Sequence, residues 1–197
     1  MKKGIVVLVA LFTFFSSLYA GPFGLSKGMS FEEVTEACNG KRPQRIENDD
    51  RYLIEPAKSH STFKTYLAWI SDEYGLYYIR AISDEITTND YGTELKNAFY
   101  AFEPRVENAY GKGSIFDGIT DKETLWKEDK YWFTALSQGA RALYAEWTPK
   151  KGETVLKDDL SYVRLWVSKA SYRSGALLLD YEFINHELAE AKEDDVL

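Results

Sequence analysis

The run Leu160-Ser161-Tyr162-Val163-Arg164-Leu165-Trp166-Val167-Ser168 decides the fold class, together with Ala176-Leu177-Leu178-Leu179-Asp180-Tyr181-Glu182-Phe183 after it. In the first run Val163, Leu165 and Val167 alternate with Tyr162, Arg164 and Trp166. A period of two puts these sets on opposite faces of a strand. In the second run Leu177, Leu179, Tyr181 and Phe183 alternate with Leu178, Asp180 and Glu182. Tyr172-Arg173-Ser174-Gly175 supplies a turn between them. The pair therefore predicts an antiparallel hairpin with one core face and one wetter face. Arg141 to Thr148 precedes it as a third strand, closed by Pro149, which has no N–H for a ladder.

Working outward, Phe63 to Ser71 and Leu76 to Ser83 flank the turn Ser71-Asp72-Glu73-Tyr74-Gly75 and read as a second hairpin. Arg51 to Ile54 is a short edge strand before Pro56. Upstream, Gly28-Met29-Ser30-Phe31-Glu32-Glu33-Val34 contains a capping box, Ser30 with Glu33, and opens a helix from Phe31 to about Asn39. Asn39-Gly40 supplies its left-handed stop. Between the two strand groups, Leu95, Phe99, Phe102, Val106 and Tyr110 recur at helical spacing after a cap at Asp90, with a kink or junction expected at Pro104. Gly111 to Gly118 reads as a glycine loop, and Asp121 to Gln138 as two short helical pieces. The order helix, three strands, helices, three strands predicts an α+β fold: an antiparallel sheet of about six strands with helices packed on one face.

The chain has 197 residues. Lys2 and Lys3, the apolar run Gly4 to Phe15, and the small residues Ser16, Ser17 and Ala20 predict a Sec signal peptide over 1–20, cleaved after Ala20. The competing reading, a retained anchor, has a span at the short end for a membrane helix. The expectation is thus a periplasmic or secreted protein with no stable membrane anchor after cleavage. A single domain over 21–186 and an acidic tail over 187–197 follow. Cys38 is the lone cysteine, so no internal disulfide forms. A net charge of −7 argues against nucleic acid and anionic membranes as partners.

Gly28-Met29-Ser30-x-x-Glu33-Val34 followed by Gly40-Lys41-Arg42-Pro43 resembles the start of a widespread exported module. That module occurs in small outer-membrane assembly lipoproteins and in β-lactamase inhibitor proteins. The resemblance implies a helix-plus-antiparallel-sheet fold that works by binding other proteins. It covers about twenty residues of capping chemistry, and the chain departs from it in lacking a lipidated Cys and a disulfide pair and in carrying an extra residue before Pro43. Gly24-Leu25, Gly28-Met29-Ser30, Tyr74-Gly75-Leu76-Tyr77, Tyr91-Gly92-x-Glu94-Leu95 and Leu179-x-Tyr181-Glu182-Phe183-x-Asn185 are similar to uncharacterised exported proteins of Gram-negative bacteria. That likeness implies compartment and fold, without a mechanism.

Catalytic patterns are sparse. His186-Glu187 does not continue as H-E-x-x-H, since position 190 is Glu. No G-x-S-x-G elbow is present. Gly111-Lys112-Gly113-Ser114 lacks P-loop spacing and follows a helix. His60 reads as a loop histidine, Cys38 as a buried small hydrophobe, and the paired acids as solvated turn and tail charges. No catalytic, cofactor-binding or metal-binding residue is assigned, and a non-enzymatic role is favoured. The candidate site is the wetter face of the last three strands: Tyr144, Glu146, Tyr162, Arg164, Trp166, Asp180 and Glu182. Arg164 is expected to pair with acids on both neighbouring strands. Tyr, Trp and Arg are the types enriched at protein-binding hot spots. The competing reading is ordinary cross-strand packing beneath helices or the acidic tail. The expected function is an exported protein that binds another protein as an inhibitor, an envelope-assembly factor or an accessory. The alternative is a small-ligand or cell-wall-fragment binder with Trp69, Trp126 and Trp132 lining a pocket between helices and sheet. An enzyme stands third: it needs Cys38 or a histidine to meet two carboxylates in one cleft.

Overall fold

The expected C-terminal hairpin forms as Leu160–Lys169 (β8) and Ser174–Phe183 (β9), with Val163 opposite Tyr181, Leu165 opposite Leu179 and Val167 opposite Leu177. The structure, a computed structural model, describes residues 21–46 and 50–194. The expected signal peptide and the last three tail residues lie outside them. The remaining elements are Phe31–Ala37 (α1), Gln44–Arg45 (β1), Arg51–Ile54 (β2), Phe63–Ser71 (β3), Gly75–Ser83 (β4), Ile86–Thr87 (β5), Thr93–Tyr110 (α2), Ser114–Ile119 (β6), Trp132–Ser137 (α3), Arg141–Trp147 (β7) and His186–Asp194 (α4). The fold is α+β, as expected, with one large antiparallel sheet. The sheet runs β1-β2-β3-β4-β9-β8-β7-β6, and β5 adds to β9. Two meanders thus meet where β4 pairs with β9, an antiparallel junction between strands about a hundred residues apart.

Several expectations need correction. The sheet has nine strands among the described residues, not about six. Of the extra strands, β1 and β5 hold two residues each, while β6 lies in the stretch read as a glycine loop. Its Gly118 and polar Asp117 hide the alternation, and only the ladder with β7 makes it a strand. The element order is therefore not helix, three strands, helices, three strands, because a strand separates α2 from α3. Helix α2 continues through Pro104 as one helix rather than as two pieces, and it starts at Thr93 rather than beside Asp90. There Asn89 Oδ1 accepts from the Thr93 N–H, while Glu94 accepts from Thr88 Oγ1 and the Asn89 N–H. The capping box at Ser30 and Glu33 forms as read, at 2.8 and 3.3 Å.

Helices α1, α2 and α3 supply Val34, Phe99, Phe102, Trp132 and Phe133 to one core with Ala68, Ile79, Leu165, Leu179 and Phe183. All these strand residues face the same side of the sheet. Burying a large apolar side chain contributes about 1.5–3 kcal/mol, so this single layered core supplies the main driving force. The N-terminal segment is stitched into it. Phe23 packs edge-on against Phe63, Tyr66 and Tyr181, and Leu25 is fully buried. Gly28 N–H donates to the Leu76 carbonyl, and the Leu76 N–H donates to Met29. At Gly75, with φ +65°, a Cβ would lie 2.3 Å from the Gly28 carbonyl oxygen, so this close crossing requires glycine.

Candidate functional site

With α1 to α3 on one side, the opposite face of the sheet carries its side chains in three rows across the strands. The central row reads Glu146, Arg164, Asp180, Arg80 and Leu67 on β7, β8, β9, β4 and β3. One flanking row reads Phe116, Tyr144, Trp166, Leu178 and Ile82. The other reads Tyr162, Glu182, Tyr78 and Trp69. All seven residues chosen from the sequence share this face. Helix α4 reaches it through His186, whose ring lies 5.5 Å from that of Tyr78 and whose Nδ1 is 3.9 Å from Glu182.

Asp180 is the centre of the face, and it is only 3% exposed. Its carboxylate accepts from Arg80 Nε at 2.7 Å and Arg80 Nη2 at 2.8 Å, and from Trp166 Nε1 at 2.9 Å. A buried carboxylate is tolerated only when charge-paired and hydrogen-bonded, and this bidentate fork with an indole donor meets both needs. Burial works to lower the Arg80 pKa, but the hydrogen bonds and charge of Asp180 outweigh it and hold it raised. Arg80 also donates to the Tyr78 hydroxyl at 3.0 Å. Burial first, and then the charge of Asp180, push the Tyr78 phenol well up, so it stays neutral and able to accept.

Arg164 was expected to bridge two acids, and its observed partners differ. Its Nε lies 3.7 Å from Glu146 Oε1, whereas the fork on Asp180 belongs to Arg80. Tyr162 donates its hydroxyl to Glu146, and burial followed by that hydrogen bond raises its pKa. The Arg164 guanidinium instead stacks between rings, 4.4 Å from the Tyr144 centroid and 5.5 Å from Trp166. Phe116 stacks on Tyr144 at 5.2 Å and 23°. Arg80 lies 5.4 Å from Trp166, 5.7 Å from Tyr78 and 5.8 Å from Trp69. Phe116, Tyr144, Arg164, Trp166, Arg80 and the Trp69–Tyr78 pair thus form one ladder of alternating rings and guanidinium groups. Each cation–π contact contributes about 0.5–1 kcal/mol where solvated and about 2 where water is excluded. The ladder locks rotamers and fills much of the space over the ring faces.

Sequence reasoning missed Arg80, Tyr78, Trp69 and Phe116 as members of this face. The alternation of Tyr78 and Arg80 with Ile79 and Ala81 was visible, but the β4–β9 junction that brings Arg80 to Asp180 was not. The three tryptophans of the pocket reading go to three places. Trp69 stands on the ladder face, and Trp126 is part-exposed in a loop against Tyr131. Trp132 is fully buried, with Nε1 3.2 Å from Asp117 Oδ1. Cys38 is fully buried and its thiol pKa is raised by that burial. His60 is not a free loop histidine: it is half-buried, its ring is 5.3 Å from that of Phe102, and its Nδ1 accepts from the Thr62 N–H. Among the described residues, no group of three or more His, Cys, Asp or Glu side chains converges as a metal site would require. Comparison with protein-family models, with curated proteins and with solved structures finds no match.

Proposed function

We propose that this is an exported protein of the periplasm or the extracellular space that binds another protein through the ladder face, as an inhibitor, an envelope-assembly factor or an accessory. The observation that carries the reading is the ladder itself: fixed aromatic and arginine side chains on a sheet face that α1 to α3 leave open. A surface whose rotamers are already locked loses little side-chain entropy on association, a cost of about 0.5–1.5 kcal/mol per mobile side chain elsewhere. Its charges are balanced in the central row, two acids against two arginines, which favours a partner with an alternating pattern over a strongly charged polymer. The small-ligand alternative is less well supported. Its three tryptophans are dispersed, and the ladder's ring faces are taken up by guanidinium groups and by one another, so a flat sugar ring has little face left to stack on.

The test is capture from envelope extract by the tagged protein and by an Arg164→Ala, Trp166→Ala double variant of unchanged circular dichroism. Hot-spot truncations typically cost 2 kcal/mol or more, a loss of roughly 30-fold in affinity. Loss of a partner that wild type retains supports the face. A double variant that keeps every partner places binding elsewhere.

A further inference from the structure

The two ends of the sheet are built differently. At one end β1 has only Gln44 and Arg45, and the basic residues Lys41 and Arg42 with Pro43 precede it. Short length, charge and proline are the usual ways to block an edge from pairing. At the other end β6 spans six residues, Ser114-Ile115-Phe116-Asp117-Gly118-Ile119, with no lysine, arginine or proline. Ile115 is 47% exposed and Phe116 36%.

The backbone direction of β6 follows from its register. Thr120 N–H donates to the Ala140 carbonyl at 2.9 Å, continuing the ladder in which Ile119 opposes Arg141 and Gly118 opposes Ala142. Even-numbered residues of β6 therefore turn their N–H and C=O toward β7. Ile115, Asp117 and Ile119 turn theirs outward, because successive residues of a strand point to opposite sides. The Asp117 charge is already met, since its Oδ1 lies 3.2 Å from Trp132 Nε1 and 3.4 Å from Arg141 Nη1.

We infer that β6 is a homodimer edge, pairing antiparallel with β6 of a second copy of this chain about a two-fold axis perpendicular to the sheet at Phe116. In that register Ile115 and Asp117 of one copy form hydrogen-bonded pairs with Asp117 and Ile115 of the other. Phe116 opposes Phe116 of the second copy as a non-hydrogen-bonded pair, where side chains approach closest. An axis at Asp117 would set two carboxylates directly opposite each other, and one at Ile115 would set each Phe116 opposite Ser114 in place of the ring pair, which disfavours both. An isologous edge is used up by its own copy, and the blocked β1 end prevents further growth, so assembly closes at two. The axis keeps the ladder faces on the same side. The row Trp166, Tyr144 and Phe116 continues into Phe116, Tyr144 and Trp166 of the second copy. The inference stands on the edge alone and does not depend on the partner proposed above.

Sedimentation equilibrium of the purified protein gives the mass, and two variants locate the contact. Ile115→Pro removes an outward N–H that β7 does not use, so it leaves the fold intact and weakens dimerisation about 10-fold or more. Phe116→Cys places thiols at a pair whose Cα atoms are about 4.5 Å apart, within disulfide range. Cys38 is buried and does not compete. On oxidation Phe116→Cys should cross-link into a covalent dimer at least about 10-fold faster than Tyr172→Cys, an exposed control at the β8–β9 turn. Twice the chain mass, lost in Ile115→Pro, with fast cross-linking in Phe116→Cys, is the expected result. A single-chain mass up to about 100 μM, the weak end of a specific interface, overturns the inference. A dimer whose Phe116→Cys form cross-links no faster than the control overturns it too.

Discussion

Replacing Arg80 by Met is the sharpest perturbation of the ladder face. Met keeps much of the stem that packs between Trp69, Tyr78 and Trp166, and removes the fork. Asp180, at 3% exposure, then keeps only the Trp166 Nε1 donor of its three charge-assisted bonds. Leaving a buried charge unpaired costs about 3–5 kcal/mol. The Arg80 side chain is 28% exposed, so water reaches the vacated site and the low end applies, about 3 kcal/mol. With a urea slope of about 2 kcal/mol per M, the unfolding midpoint falls by roughly 1.5 M. Asp180→Asn in the same background removes the stranded charge and keeps an acceptor for the indole. The double variant Arg80→Met, Asp180→Asn should therefore recover about 2 kcal/mol of that loss, a coupling of at least that size. Matched urea titrations of the four proteins give the cycle. If Arg80→Met costs under 1 kcal/mol, or the two losses simply add, Asp180 does not depend on the fork and the reasoning is refuted.

Three further outcomes follow from other parts of the fold. Glu103 is 7% exposed on α2, and burial, with Glu107 second, raises its carboxyl pKa. A carboxyl with a raised folded-state pKa binds its proton more tightly when folded. Its stabilisation is present below the ordinary Glu pKa, about 4.3, and is lost as pH rises through its higher folded-state pKa. Glu103→Gln should thus be more stable than wild type near pH 7 and no more stable near pH 3.5, read from urea midpoints at the two pH values. At Gly92, φ is +68° and a Cβ would sit 2.0 Å from Trp132 Cε3. Gly92→Ala should cost about 3 kcal/mol or more and shift the Trp132 fluorescence as the indole is displaced. Ser30→Ala should cost about 1 kcal/mol in urea unfolding by breaking the capping box, with the α1 fold retained.

What the sequence carried legibly was local. Val163, Leu165 and Val167 marked β8 because each residue's face follows from its neighbours alone. The capping box at Ser30 was readable for the same reason, since both partners lie within one helical turn. Strand β6 was not readable, because Gly113, Asp117 and Gly118 break the apolar alternation and its stability comes from β7. Asp90 looked like the cap, yet the N-cap residue is Gly92, in the left-handed conformation, and the side chain that accepts from the Thr93 N–H is Asn89. The candidate site was legible as a set of residues but not as a circuit. Arg164 and Asp180 sit directly opposite each other, as the hairpin implies. The fork on Asp180 comes from Arg80, a hundred residues away, across a junction that no local pattern encodes.

Site-specific photo-cross-linking is the direct test of the ladder face as the proposed binding surface. A photoreactive residue is placed at Tyr144 or Ile82 on the face, and at Asn108 on the exposed side of α2 as a control. Cross-linking in envelope preparations, followed by mass spectrometry, identifies what each position touches. A binding surface on this face means one protein captured from both face positions and absent from the Asn108 position. Capture of that protein from Asn108 but from neither face position would contradict it.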